Sequence, residues 1–189
     1  GGRLEIDRGR LTARGFAVTC LVRARDDDDA ARRVRDVLAA RHLHAVDGAW
    51  HAVAGDLAAS DGGVDGVPDD IDLIVHAGAM VNWLAPYASL RGPNVRGTHA
   101  LVAWAAARGA SFHDVSTISV APPDGDESSC LPFDAALAAT PYVLSKWIAE
   151  AHVANARARG LPAAVYRPAM IAPDPRTGLG NRDDFLCRY

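Results

Sequence analysis

Short apolar runs, each too brief to be a buried helix, recur along this chain and alternate with stretches of helical period. Residues 17–22 (AVTCLV), 50–54, 71–75 (IDLIV), 112–116 and 163–166 read as strands. Between them, Asp26 to Asp29 offer an N-cap and first-turn carboxylates. Ala30, Val34, Val37, Leu38 and Arg41 follow at helical spacing, which predicts a helix over 27–42. An Ala-rich helix over 94–108 is closed by Gly109, and a longer one over 142–159 by Gly160. The polar, proline-bearing stretch 122–140 reads as an inserted loop. Near-continuous apolar strands separated by helices predict an α/β chain, a Rossmann-like doubly wound parallel sheet. Such sheets bind ligands at the carboxyl ends of their strands. That directs attention to Arg23, Asp56, residues 76–79 and 116–119, and Arg167-Pro168.

Composition narrows the function. With 189 residues and 49% hydrophobic content the chain suits a single domain over 1–189. A net charge of -3 gives no basic surface for nucleic acid. No apolar run reaches the ~18 residues of a membrane span, and residues 1–10 lack a signal-peptide pattern. Cys20, Cys130 and Cys187 form no CxxC pair, so neither a disulfide framework nor a zinc site is expected, and a cytoplasmic setting fits. The seven histidines show no metal spacing; His76 and His113, beside strand ends, read as core or hydrogen-bonding residues. No Gly-x-Ser-x-Gly is present to support a serine hydrolase.

One count points to chemistry. The 20 basic side chains are 19 arginines and one lysine, Lys146. That lysine lies four residues after Tyr142, an arrangement that chance gives about 2% of the time for one lysine and four tyrosines. Residues four apart share a helical face, and a cation beside a phenol lowers its pKa, making a proton donor usable near neutral pH. The competing reading is an exposed pair on a solvated helix. A strand-end hydroxyl run, Ser116-Thr117-Ile118-Ser119, supplies a partner for a substrate oxygen. By itself such a run often only satisfies local backbone.

With Thr117, Tyr142 and Lys146 in this order, the sequence resembles an extended short-chain dehydrogenase/reductase. More narrowly it resembles the thioester reductase domains that release products from nonribosomal peptide and polyketide synthases, a group that includes carboxylic acid and fatty acyl reductases. The resemblance runs from about residue 11 to 189. It is carried by GFAVTCLVRA (15–24), GDL (55–57), IVHAGAMVNW (74–83), NVRGT (94–98), VSTISV (115–120), YVLSKWIAE (142–150), YRPAMI (166–171) and NRDDFLCR (181–188). It implies hydride reduction, from NADPH, of an acyl or peptidyl thioester carried on a phosphopantetheinyl carrier protein, giving an aldehyde or alcohol. Thr117 and Tyr142 would hold and protonate the carbonyl oxygen; Lys146 would tune the phenol and hold the nicotinamide ribose. Asp56 resembles the family's adenine contact, Leu57 its apolar neighbour, and Pro168 a residue of the cofactor site. Ala77, Gly78 and Ala79 would pass close to the cofactor. Asn94 resembles the asparagine that orders the active-site lysine; a simple helix N-cap is its other reading.

The choice of dinucleotide has a physical argument. An acid at the end of the second strand holds the ribose 2′-hydroxyl of NAD. Here that position is Arg23, with Arg33 near, and cations there suit the 2′-phosphate of NADP; a solvated basic patch is the alternative.

The sequence departs from the family at its start. The glycine-rich turn Gly-x-x-Gly-x-x-Gly and the apolar strand before it are not found in GGRLEIDRGR. The expectation is a sheet without its central first strand, a chain incomplete at both ends, and little dinucleotide binding or turnover by these 189 residues alone. A non-catalytic Rossmann-like remnant or partner-binding module is the alternative from another class. A sugar-nucleotide epimerase or dehydratase is the alternative within the superfamily.

Overall fold

Val18–Val22 (β1) and Trp50–Ala54 (β2) pair in parallel, Cys20 against Ala52. Leu73–His76 (β3), Ser111–Val115 (β4) and Ala163–Tyr166 (β5) form a second parallel sheet in that order, with His76 opposite Asp114 and Asp114 opposite Val165. This computed structural model describes residues 11–12, 14–41, 43, 48–126, 128–175, 178 and 180. Among these residues no strand joins β1 to β3, which is where a doubly wound sheet places its first strand. Residues 1–10 and 181–188, to which the expected departure and one motif refer, lie outside the described residues.

Each helix follows from its local sequence. The first, Asp27–Ala40 (α1), is capped by Asp26, whose carboxylate accepts from the Asp29 amide at 2.8 Å. Ala30, Val34 and Leu38 come from its buried stripe to pack on Cys20 and Ala52. The second helical stretch starts earlier than its apolar pattern predicts. Tyr87–Leu90 (α2) runs through a π-helical segment, Arg91–Arg96, into Gly97–Arg108 (α3). Pro93 lies inside that segment; it has no N–H to donate and its ring crowds the preceding turn, so the helix widens there. Gly109 takes φ +69° and ends α3 in the left-handed conformation.

The stretch 122–140, expected to be loop, holds a short helix, Phe133–Ala138 (α4). It is tied down by the Leu131 carbonyl, which accepts from the Trp147 indole at 2.8 Å, and by the Leu131 amide, which donates to Val120 O at 2.8 Å. Pro141–Ala158 (α5) begins with Thr140 as N-cap and Pro141 in the first turn.

The main core forms where Leu101, Val102 and Ala105 of α3 and Val153 of α5 meet Phe112 of β4, with Leu21 of β1 packed against the edge of this cluster. The alternation along β4 sends Phe112 and Asp114 toward these helices. The opposite face is open: Leu73 and Val75 are 39% and 37% exposed. No described helix is long and apolar enough to cross a membrane.

Candidate active site

Three chain segments meet at the carboxyl ends of β3 and β4. The loop after β3 is held by Asn94: its Oδ1 accepts from the Met80 amide at 2.7 Å, and its Nδ2 donates to Met80 O at 3.0 Å. The same Nδ2 reaches Ser145 Oγ on α5 at 3.0 Å, and Ser145 in turn donates to Tyr142 O at 2.7 Å. Asn94 is therefore not an N-cap. The helix continues on both sides of it, and the π-helical turn places its buried amide between the loop and the helix that carries Tyr142 and Lys146.

Tyr142 lies in the first turn of α5 and is buried. The Trp83 ring leans on its ring with centroids 4.9 Å apart and planes tilted by 53°. Trp83 is 49% exposed, and Leu84 beside it is almost fully exposed. The Asn82 carboxamide fixes their backbone by accepting from the amides of Leu84 and Ala85 at 3.0 and 3.1 Å. Thr117 opens a one-turn 3-10 helix, Ile118–Val120, that packs against α5. Its hydroxyl accepts from the Ser119 amide at 3.3 Å. Pro168 O accepts from the Ile118 amide at 3.0 Å, joining the exit of β5 to the same corner.

Lys146 departs from expectation. It is 1% exposed, donates to Val115 O at 3.0 Å, and stands 3.7 Å from Asp114 Oδ1. The phenol of Tyr142 is pushed up from its ordinary value, first by burial and then by the Asp114 carboxylate. That is the opposite of the lowering expected from the lysine. Spacing alone places phenol and ammonium on one helical face but does not say where a long, flexible side chain ends.

His76, at the end of β3, completes the buried polar set. The Thr98 hydroxyl donates to Asn94 O at 2.6 Å, so its lone pair accepts the His76 Nε2–H at 2.9 Å. Burial first, and the Lys146 charge second, pull this imidazole down to about 3. It is a neutral hydrogen-bonding residue, as expected. His113 also has a hydrogen-bonding role, its Nδ1 meeting the Tyr166 hydroxyl at 2.8 Å.

The other predicted cofactor residues form two groups. Leu57 and Gly78 touch: a Cβ on Gly78 would meet Leu57 Cδ1 at 2.7 Å, and one on Gly97 would meet Leu57 O at 2.5 Å. GDL, HAGA and NVRGT thus converge on Leu57, and Ala77 and Ala79 on either side of Gly78 are half-buried. Asp56 turns to its own loop, accepting from the Ala58 amide at 2.8 Å. At the end of β1, the Arg33 guanidinium donates to Arg23 O at 3.0 Å and pairs with Asp29 at 3.3 Å, while Arg25 approaches Asp29 at 3.7 Å. Arg23 is exposed, and its side chain has no ion pair among the described residues.

Residues 10–189 match the NAD-binding family described as "Male sterility protein". The chain belongs to this family. Within it the sequence groups with terminal reductase domains of peptide and polyketide synthases. It is 37% identical over 186 residues to a linear gramicidin synthase polypeptide of Brevibacillus parabrevis, covering 90% of this chain and 4% of that protein. It is 34% identical over 197 residues to L-2-aminoadipate reductase of Schizosaccharomyces pombe, covering 90% and 14%. A solved terminal R domain from the myxalamid PKS-NRPS biosynthetic pathway superposes with a TM-score of 0.85 at 32% identity. The match covers 95% of this chain and 49% of that one. The chain spans about half of that solved domain.

The residues present suit a nicotinamide dinucleotide at the small-residue corner around Gly78, at the exposed Arg23 and at the hydroxyls of Thr117 and Tyr142. They do not suit it at Lys146, whose ammonium is turned into the interior. Among the described residues no cluster of His, Cys, Asp or Glu is built to hold a metal. Two residues of this site had weak signals in the sequence. Trp83 appears only as the end of a motif. Asp114 is an acid two residues after Phe112 on the same strand face, which marks it as buried.

Proposed function

We propose that this chain is the nucleotide-binding, active-site half of an NADPH-dependent reductase. It would release acyl or peptidyl chains from a phosphopantetheinyl carrier protein as aldehyde or alcohol. The observation that carries this reading is the packing of the one-turn helix opened by Thr117, at the carboxyl end of β4, against α5, whose first turn holds Tyr142, in a chain 32% identical to a terminal R domain.

When bound, the cofactor supplies the hydride; the chain supplies the rest. Thr117 and Tyr142 are the hydroxyls available to a thioester carbonyl oxygen, and Tyr142 is the proton donor as that oxygen gains charge. Burial keeps the phenol protonated, so it can hold a hydrogen bond to the carbonyl before reaction. Trp83 and Leu84 offer an apolar wall beside it for the acyl chain. Arg23 is a cation at the end of β1 whose side chain has no ion pair among the described residues, which supports NADPH over NADH.

The non-catalytic reading is favoured by one observation, the withdrawal of Lys146 into the protein interior. The two readings part in one assay. Acyl-pantetheine thioesters are offered with NADPH to this chain and to a version extended by a strand and glycine-rich turn. Oxidation of NADPH with release of thiol by the extended version supports the reductase. Silence of that version, with NADPH bound, overturns it.

A further inference from the structure

We propose that Asp114 is the counter-ion that positions Lys146, drawing its ammonium onto β4 and so setting how much positive charge reaches Tyr142. The proposal rests on the reading of Tyr142 as the proton donor.

The geometry is that of a closed pair. Asp114 is 0% exposed and Lys146 1%, and they approach to 3.7 Å across the β4–α5 packing. Neither carboxylate oxygen of Asp114 has a hydrogen-bond partner, and the Ser116 hydroxyl two residues on has none either. A buried carboxylate is normally held by hydrogen bonds, because it otherwise bears its full desolvation cost. Here the feature compensating Asp114 is the charge of Lys146.

Among the described residues the neighbouring groups offer Asp114 no other cation. On α5, Glu150 is one turn beyond Lys146, but its carboxylate is committed to Arg167, which donates to it at 3.0, 3.2 and 2.7 Å. On β3, the register partner of Asp114 is His76, which is neutral. On β5 the register partner is the apolar Val165. Tyr142, also on α5, feels the Asp114 charge. Burial, opposed by Lys146 and reinforced by Glu150, pushes the Asp114 carboxyl up.

Two effects follow. The ammonium is hydrogen-bonded to Val115 O and held in an ion pair with Asp114, and the carboxylate offsets the ammonium's field at the phenol. Removing the charge of Asp114 while keeping its shape therefore exposes Tyr142 to an unopposed lysine.

The test is Asp114→Asn in the full chain, read by the alkaline ultraviolet absorbance titration of the phenols. Tyr142→Phe in each background isolates the Tyr142 contribution. The midpoint of Tyr142 is expected to fall by about one pH unit in Asp114→Asn. A folded Asp114→Asn with an unchanged midpoint overturns the proposal, since a merely structural aspartate would not move it. If Asp114→Asn does not fold, Asp114→Asn/Lys146→Met decides. Recovery of a cooperative unfolding transition in the double variant shows that the uncompensated lysine was the fault and supports the pairing. Failure of both to fold shows that the uncompensated lysine was not the fault and overturns it. The readout needs no substrate, so loss of the reductase reading would appear separately, as absent thioester reduction.

Discussion

The indole of Trp83 rests against the phenol ring of Tyr142, centroid to centroid at 4.9 Å, and half of its surface faces solvent. A partly exposed aromatic ring fixed against the proposed proton donor is a platform for whatever apolar group lies beside the reacting carbonyl. Trp83→Ala should therefore discriminate between substrates. For long-chain acyl thioesters kcat/KM should drop about tenfold, the equivalent of one lost aromatic contact. For acetyl thioester it should change little. Equal losses on both substrates would show that Trp83 only supports the loop.

Tyr142→Phe keeps the ring contact with Trp83 and deletes the hydroxyl. Turnover in a reductase-competent version should fall by about two to four orders of magnitude, with little change in the urea midpoint. Because Ser145 bonds the backbone of Tyr142 and not its hydroxyl, the local fold has no need of that oxygen. An unchanged rate would remove Tyr142 from the chemistry.

The sequence carried the parallel α/β architecture because strand and helix periods are set locally: apolar runs for strands, and Asp26, Thr140, Gly109 and Gly160 for helix ends. It also carried the Tyr142–Lys146 pair, because four-residue spacing fixes a face. What it did not carry depends on contacts between distant segments. The helix start at Tyr87 is hidden by Pro93, which reads as a breaker but is absorbed into a π-helical turn. The short helix inside 122–140 is stabilised by Trp147 and Arg167, neither of them local to it. The inward path of the Lys146 side chain is decided by Asp114 on another element. No periodicity in α5 encodes that.

The sequence puts Arg23 at the strand end with Arg33 near it, and the structure separates their roles. Arg33 is committed to Asp29 and to the Arg23 carbonyl, whereas the Arg23 side chain has no ion pair among the described residues. If the 2′-phosphate is read at the end of β1, Arg23→Ala should remove most of a preference for NADPH over NADH, about tenfold for one charge-assisted contact. Arg33→Ala should preserve the preference while weakening both cofactors alike. Fluorescence titration of both dinucleotides against both variants measures this. Equal affinities for the two dinucleotides in the parent would end the NADP assignment.

His76 should make the fold acid-sensitive. Its ring is neutral, donates to Thr98, and is held down to about 3 by burial and by the Lys146 charge. In the unfolded chain a histidine titrates near its ordinary value, about 6.5. The folded value lies below the unfolded one, so between about pH 6.5 and 3 the unfolded state binds the extra proton. Stability from this group is fully present above about 6.5 and falls as pH drops toward 3. The loss is on the order of a few kcal/mol across that window, large against the net stability of a small domain. His76→Gln retains a side-chain donor for Thr98 and does not titrate. Urea midpoints measured from pH 7 to 4 should decline steeply for the parent and clearly less for His76→Gln, with the variant the weaker of the two at pH 7. Parallel pH profiles would mean that the imidazole is protonated in the folded state, and would remove it from the buried neutral set around Lys146.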